Sequence, residues 1–387
     1  PETMETVSIP HVWNKDDPAK TGYCVYQYSF RGEDISGEKV FVEFGAVGEI
    51  GKVWLNGQYI GTHRGGYSCF RFELTDALCK GENILTVFAD NKKYEDSNPF
   101  GGDFNRYGGI YRDVTLISTG INHFDLLYSG SSGLEVETHA DGTVHARARV
   151  VGEGKIVYSL LDGNQTVAQA EACPENPDVL MQITNPHLWN GRKDPYLYTI
   201  RGELYVNDVC QDQVSLNCGF RDCKITPDGG FFLNGKHIKI NGVAKHQDRY
   251  QMGNGPTNAQ LDDDMELIME VGANAVRLSH YQHPQYFYDL CDKNGLLVWA
   301  EIPMLGMPDG NKAVVENAKQ QMTELILQSK HHPSIFCWGI QNEISMYGES
   351  LELYSKTEEL NTHTKSLDTS RYTTSANLFS VKFSSQL

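Results

Sequence analysis

The chain contains 387 residues, of which 40% are hydrophobic and 11% aromatic, and its formal net charge is −17. This length and composition predict two to four folded domains and exclude wholesale disorder. The negative charge, which no cluster of Lys and Arg offsets, argues against a nucleic-acid partner, and the lack of any long apolar run argues against a membrane partner.

The first 220 residues or so show the pattern of β-structure. Short runs at 40–44 and 84–88 alternate or are rich in β-branched and aromatic residues. The dipeptide Asn56-Gly57 stands between apolar flanks, which predicts a tight hairpin. A second block of strands begins near Asn122 and includes residues 145–151, 155–160 and 196–204. Strands at this spacing predict two consecutive β-sandwiches.

After Phe220 the pattern changes to alternating strands and helices. A hairpin over 231–238 leads into a predicted first strand at 239–243. Further strands are predicted at 274–279, 296–301, 335–340 and 371–375, and helices at 261–271, 284–294, 313–330 and 349–367. Such alternation indicates a parallel sheet. Five strands fit into residues 222–387, whereas a closed (β/α)₈ barrel needs eight, so we expect a partial barrel.

Polar residues stand at the ends of the predicted parallel strands. They are His246, Arg277, His280, Glu301, Asn342 and Glu343. Because the carboxyl ends of parallel strands meet at one edge, we expect these side chains to share one rim. Each has a structural explanation by itself: Arg277 could pair with a carboxylate, His280 could cap a helix, and Glu301 could form a salt bridge. Their joint occurrence at successive strand ends favours a functional site.

A rim of carboxylate, amide, imidazole and guanidinium groups suits a polyhydroxylated ligand such as a sugar. Trp299 and Trp338 lie on the same strands, where we favour barrel packing over sugar stacking. No histidine and carboxylate spacing typical of a catalytic metal follows the third strand, so we expect no metal.

Nine cysteines are scattered along the chain in an odd count. They are Cys24, Cys69, Cys79, Cys173, Cys210, Cys218, Cys223, Cys291 and Cys337. No Cys-x-x-Cys occurs, so we expect free thiols rather than a disulfide framework. Free thiols favour a reducing compartment, although the sequence leaves both the cytoplasm and the periplasm open.

Several motifs resemble those of glycoside hydrolase family 2, which contains β-galactosidases, β-glucuronidases and β-mannosidases. The motifs are PHVWN at 10–14, VWLNG at 53–57, DFNRYGGIYRD at 103–113, KINGVAKHQD at 239–248, NAVRLSHY at 274–281 and HPSIFCWGIQNE at 332–343. The resemblance runs almost end to end. It implies a jelly-roll sugar-binding domain at 1–120, an immunoglobulin-like β-sandwich at 121–221 and the N-terminal part of a (β/α)₈ TIM barrel at 222–387.

The same resemblance implies roles for individual residues. Glu343 resembles the general acid/base, and the substrate-binding positions are Asp103, His246, Arg277, His280 and Asn342. A turn residue remains an equal alternative for Asp103, because it follows two glycines. Some β-galactosidases hold magnesium with a glutamate and a histidine after the third strand. The histidine is absent after Glu301, so no cofactor is expected.

The motif HQDR at 246–249 resembles the β-galactosidase branch, which makes a β-galactoside or related oligosaccharide the expected ligand. β-Glucuronidase, β-mannosidase, a non-catalytic carbohydrate-binding fragment and an assembly role with self-association are the alternatives. In this family the nucleophile is a glutamate after the seventh strand. Only 44 residues follow Glu343, so we expect the chain to end before the nucleophile and to be inactive alone.

Overall fold

The computed structural model describes residues 4–99, 102, 104–306, 310–348 and 350–377. Within these ranges, the helices are too short or too polar to cross a membrane. The first ten strands are β1 (His11–Val12), β2 (Tyr23–Arg31), β3 (Lys39–Phe44), β4 (Val47–Gly48), β5 (Ile50–Leu55), β6 (Gln58–Arg64), β7 (Phe70–Glu73), β8 (Glu82–Asp90), β9 (Gly109–Ile110) and β10 (Val114–Thr119).

These strands form antiparallel sheets that enclose one core. A four-stranded sheet has the order β2-β8-β5-β6, and a three-stranded sheet has the order β10-β3-β7. Phe44, Val53 and Val87 are buried between them. β5 and β6 are joined by Asn56 at φ 53° and Gly57 at φ 80°. Positive φ at both positions is what a type I′ hairpin turn requires, and the predicted hairpin is confirmed.

A second group of antiparallel strands follows. It comprises β11 (His123–Phe124), β12 (Leu134–Thr138), β13 (Thr143–Ala148), β14 (Val150–Val151), β15 (Lys155–Asp162), β16 (Gln165–Ala172), β17 (Asp178–Gln182), β18 (Tyr198–Val206) and β19 (Val209–Cys218). The sheets β16-β15-β18-β19 and β12-β13-β17 pack around Phe124, Tyr158 and Phe220. Two consecutive sandwiches were predicted from the strand spacing, and both are present.

The remaining residues form a small hairpin sheet and an α/β unit. The hairpin strands are β20 (Cys223–Thr226), β21 (Gly230–Leu233) and β22 (Lys236–His237). The α/β unit contains β23 (Gly242–Lys245), α1 (Asn258–Glu270), β24 (Ala275–Leu278), α2 (Gln285–Asn294), β25 (Leu297–Glu301), α3 (Lys312–Ser329), β26 (Ile335–Asn342), α4 (Leu351–Leu367) and β27 (Tyr372–Ala376). Its five strands are parallel and pair in chain order, as in a barrel wall.

The first parallel strand begins later than predicted, at Gly242 instead of residue 239. Asn274 explains the difference, because its side chain bonds the carbonyl of Lys239 and the amide of Asn241. These two contacts hold Lys239 and Asn241 in the connection between the hairpin and β23, outside the strand. β26 extends two residues beyond its predicted end, since Gln341 and Asn342 still pair with β27.

A buried tryptophan ties the second sandwich to the barrel. Trp189 is fully buried, and its Nε1 donates to the carbonyl of Asp292 at the end of α2, at 2.9 Å. The Asp292 carboxylate in turn accepts from the amide of Ser334, just before β26, and from His332. The sandwich is therefore held against the barrel end opposite the rim.

We expect Trp189→Phe to lower the free energy of unfolding by about 2–4 kcal/mol, because it removes buried volume and leaves a buried carbonyl without its donor. Urea denaturation followed by circular dichroism measures the change. Trp54→Phe is the matched control, since Trp54 lies half-buried on the outer face of the first sandwich. The control should change stability by about 0.5 kcal/mol or less. Equal effects of the two substitutions would contradict the interpretation.

Candidate active site

A buried carboxylate organises the ends of the parallel strands. Glu301, at the end of β25, is fully buried. Its Oε1 accepts from Arg277 Nη2 and from His280 Nδ1, both at 2.9 Å, and its Oε2 accepts from Arg277 Nε at 3.1 Å. A bidentate guanidinium partner compensates the burial of the charge. Glu301 therefore fixes the side chains of two neighbouring elements at once.

Arg277 extends this network to β26. Its Nη2 donates to Asn342 Oδ1 at 2.6 Å, and the backbone amide of Asn342 donates to the carbonyl of Met304 at 2.9 Å. Because Oδ1 faces the guanidinium, the amide orientation of Asn342 is determined and its Nδ2 is the donor end. The side chain of Asn342 is thus held at the rim in one orientation.

Glu343 is the first residue after β26 and is partly buried. Its backbone has φ 50° and ψ 34°, and its amide donates to the carbonyl of Ala376 at 2.7 Å. Left-handed backbone is uncommon for a non-glycine residue and concentrates at functional sites. The strand therefore ends at Asn342, and the backbone leaves the strand direction at Glu343, the next residue.

Two histidines and one phenylalanine lie on the other side of the rim. The rings of His246 and His280 have centroids 4.9 Å apart. The ring of Phe104, from the first sandwich, lies 5.6 Å from that of His246 and 6.0 Å from that of His280. The first sandwich thus supplies an apolar ring to a rim made by the barrel. Asp103, the neighbouring predicted residue, lies outside the described residues.

The two tryptophans on the strands differ in environment. Trp338 is fully buried, and its Nε1 donates to Asp368 at 2.8 Å, which confirms the predicted packing role. Trp299 is partly buried beneath Arg277, whose guanidinium carbon is 4.8 Å from the ring centroid. Both rings therefore support the strands and the rim arginine from within.

The segment before Pro99 in the first sandwich is anchored on the barrel. The backbone amide of Asn98 donates to Asn317 Oδ1 at 2.8 Å, and Asn98 Nδ2 donates to the carbonyl of Val314 at 2.8 Å. Gln321 Nε2 donates to the carbonyl of Asn98 at 3.1 Å. Three residues of α3 therefore hold Asn98 of the first sandwich against the barrel.

A buried carboxyl lies under the same loop. Glu49 is buried, and Ser97 Oγ donates to its Oε1 at 3.3 Å. Burial raises the pKa of Glu49 from 4.5 to about 7, although the nearby charge of Arg106 opposes the shift. Glu49 is thus a neutral hydrogen-bonding group of the loop support in mildly acidic solution.

One group of potential metal ligands lies away from the rim. Among the described residues, Asp289, Asp292 and His332 place ligand atoms within 4.8 Å of one another. Asp292 Oδ2 and His332 Nδ1 are already hydrogen-bonded at 2.6 Å. These residues precede β26, at the end of the sheet opposite Glu343, so they do not contribute to the candidate active site.

The rim includes residues to which the sequence assigned no role. Phe104 and Tyr281 both stand in the quoted motifs, next to Asp103 and His280, and that adjacency is the signal that could have identified them. Glu301 was noted at a strand end but was not named as a site residue. Its function as the shared partner of Arg277 and His280 becomes visible only when the strands are side by side.

Three family models match consecutive parts of the chain. They are described as glycosyl hydrolases family 2, sugar binding domain, over residues 3–120; glycosyl hydrolases family 2, over 126–221; and glycosyl hydrolases family 2, TIM barrel domain, over 224–383. The matches follow one another in the same order as the two sandwiches and the α/β unit.

Individual relatives agree with these matches. The chain is 38% identical to a β-glucuronidase of Bacteroides fragilis over 96% of this chain and 57% of the relative. It is 32% identical to a β-galactosidase of Thermoanaerobacter pseudethanolicus over 96% of this chain and 51% of the relative. An FMN-binding β-glucuronidase structure from Faecalibacterium prausnitzii L2-6 superposes with a TM-score of 0.92 at 37% identity, over 97% of this chain and 61% of that one. The chain thus spans little more than half the length of these relatives.

The raised pKa of Glu49 predicts a pH-dependent stability. Between about pH 4.5 and 7 the folded protein retains a proton that the unfolded chain has lost, so the free energy of unfolding falls as pH rises through this range. The shift corresponds to about 3 kcal/mol. We therefore compare the free energy of unfolding of Glu49→Gln with that of the unmodified protein. We expect the difference, variant minus unmodified protein, to be larger at about pH 8 than at about pH 4 by this amount. Urea titrations at both pH values measure it.

Glu358→Gln, on the exposed face of α4, is the matched control and should show no such difference. A stability difference between the Glu49 variant and the unmodified protein that is the same at both pH values would show that the carboxyl ionises normally in the folded state.

Proposed function

The chain belongs to glycosyl hydrolase family 2, and on that premise we propose that the protein is a retaining exo-β-glycosidase whose substrate is a terminal β-D-glucuronide. The 38% identity to a β-glucuronidase, against 32% to a β-galactosidase, supports this choice of sugar. The proposed β-glucuronide replaces the β-galactoside that the sequence motif favoured.

Two side chains of the motif behind the earlier preference, Gln247 and Arg249, are hydrogen-bonded within the protein. Gln247 is fully buried, and its Oε1 accepts from Arg112 at 2.8 Å. Arg249 donates to Asp263 at 3.0 Å and to the carbonyl of Gln260 in α1. Of these three motif residues, His246 is the one that lies beside His280 and Phe104. Similarity at positions 247 and 249 reflects packing and carries no information about the sugar.

The observation that supports the proposed activity most directly is the fixed Asn342 beside Glu343. In our proposal, Glu343 protonates the departing glycosidic oxygen and later activates the incoming water. Asn342 donates through Nδ2 to the sugar 2-hydroxyl, and the Arg277 contact keeps that donor aimed. Hydrogen bonds that are preorganised in this way stabilise the transition state without reorganisation.

The other rim groups bind the sugar in this proposal. His246 and His280 hydrogen-bond its hydroxyl or carboxylate oxygens, Arg277 organises the rim, and Phe104 covers one apolar face of the ring. Asp103, which precedes Phe104, is proposed to reach the sugar hydroxyls from the first sandwich.

We also propose that the domains extend over 1–120, 121–221 and 222–387.

A retaining glycosidase needs a second carboxylate about 5–5.5 Å from the acid/base. Glu301 is unsuited to that role, although it lies at the rim. It is fully buried, and both of its oxygens are engaged by Arg277 and His280. A nucleophile must reach the anomeric carbon, so Glu301 is assigned the structural role of holding the two basic side chains.

Substrate preference tests the choice of sugar. We expect the full-length gene product to hydrolyse nitrophenyl β-D-glucuronide with a kcat/KM at least about a hundredfold above that for nitrophenyl β-D-galactoside, since polar groups matched to one sugar reject another strongly. The α-glucuronide serves as the control and should not be cleaved. A preference for the galactoside would reverse the assignment, and cleavage of neither would remove the proposed activity.

Leaving-group dependence tests the role of Glu343. In the full-length gene product, Glu343→Gln should lower kcat by about 10²–10⁴ for alkyl β-glucuronides, whose leaving oxygen needs a proton. The rate constant for departure of the leaving group should fall much less with dinitrophenyl β-glucuronide, because this leaving group departs without protonation. Glu358→Gln, on the exposed face of α4, is the control. An equal loss with both leaving groups would show that Glu343 is not the acid.

A further inference from the structure

Tyr281 lies directly behind His246 and is almost fully buried, with 1% of its surface exposed. Its hydroxyl oxygen is 3.0 Å from His246 Nδ1 and 3.4 Å from the backbone nitrogen of Gln247. A single tyrosine hydroxyl therefore contacts both the side chain of the rim histidine and the backbone that follows it.

The two contacts determine where the protons lie. The Gln247 amide can only donate, so the Tyr281 oxygen accepts that bond. The buried hydroxyl must place its own proton on an acceptor, and His246 Nδ1 is the acceptor among its described partners. Nδ1 is then unprotonated, and the neutral imidazole carries its hydrogen on Nε2. Tyr281 thus selects one of the two tautomers of His246.

Stacking holds the ring of Tyr281 in this position. Tyr67, from the first sandwich, lies parallel to it, with centroids 4.1 Å apart and an interplanar angle of 3°. His283 stacks at 5.5 Å and 21°, and Phe104 approaches edge-on at 5.4 Å. Tyr67 is itself buried, with 3% exposure. These ring contacts and the burial of Tyr281 keep its hydroxyl directed at His246.

Arg112 of the first sandwich connects the stacking residue to both barrel loops. Its Nη1 donates to the carbonyl of Tyr67 at 2.6 Å. Its Nη2 donates to Gln247 Oε1 at 2.8 Å and to the carbonyl of Gln282 at 2.9 Å. One guanidinium thus holds the loop after β23 and the loop after β24 at fixed positions relative to Tyr67.

We propose that Tyr281 is a positioning residue that fixes the tautomer and orientation of His246, and that Tyr67 and Arg112 of the first sandwich hold it there. The proposal rests on the substrate-binding role proposed for His246. With the proton on Nε2, the ring is a hydrogen-bond donor at that atom, which suits hydroxyl and carboxylate oxygens of a glucuronide. The first sandwich then determines how the barrel presents a binding group.

Nitrogen NMR of ¹⁵N-histidine-labelled protein tests the tautomer without any substrate. The signals of His246 are assigned by their loss in His246→Gln. We expect the unmodified protein above the titration range to show the Nε2–H tautomer, and Tyr281→Phe to show a mixture of tautomers. Tyr158→Phe, which removes a buried hydroxyl bonded to the Pro177 carbonyl in the second sandwich, is the matched control and should leave the signals unchanged.

An Nδ1–H tautomer in the unmodified protein, or an unchanged tautomer in Tyr281→Phe, would overturn the proposal. This result is independent of catalysis, so it decides the positioning role even if the protein cleaves no glucuronide. Failure of the proposed function would appear separately, as lack of turnover with normal His246 signals.

Kinetics of the stacking partner add a second measurement. Both variants are made in the full-length gene product, where Tyr67→Phe keeps the ring and should match the unmodified protein. Tyr67→Leu removes the stack, and we expect it to raise KM for the β-glucuronide about tenfold while kcat stays within about twofold, as for loss of a contact present in both the ground and transition states. It should also give mixed His246 tautomers. Normal tautomers in a folded Tyr67→Leu protein would show that the stack does not position Tyr281.

Discussion

The rim of this barrel depends on one buried carboxylate. Glu301 lies at the end of β25 with both oxygens engaged by Arg277 and His280. An isolated buried charge would be strongly unfavourable, and the guanidinium and imidazole offset its desolvation while losing their own freedom to move. Arg277 passes the constraint on to Asn342. The need to compensate the buried Glu301 charge therefore fixes the polar side chains at the ends of three neighbouring strands.

The first sandwich supplies one side chain to the rim and several that hold the rim residues from behind. Phe104 reaches the two histidines, and Asn98 of the same domain is hydrogen-bonded to α3. Tyr67 stacks on Tyr281, and Arg112 bridges two barrel loops. These contacts bury polar groups that would otherwise lack partners in either domain alone, which makes the association of sandwich and barrel a condition for an ordered site.

The β-galactoside preference rested on a local similarity at residues 246–249. A motif of consecutive residues was taken as a signal of specificity, but neighbouring side chains in an irregular segment point in different directions. Gln247 is committed to Arg112, and Arg249 to α1. Compared with these two residues of the four-residue motif, His246 lies against the rim rings. Specificity therefore has to be argued from side chains that face the ligand, after their direction is known.

The sequence by itself determined the features that depend on local patterns. Hydrophobic periodicity predicted the sandwiches and the α/β alternation, Asn56-Gly57 predicted its hairpin because positive φ favours those residues, and strand polarity predicted that Arg277, His280 and Asn342 would share an edge. The late start of β23, the sharing of Glu301 by both Arg277 and His280, and the participation of Phe104, Tyr67 and Arg112 were decided by tertiary structure alone. Each of these depends on hydrogen bonds, ion pairs or ring contacts between elements distant in the chain, and such contacts leave no periodic trace in the residues on either side.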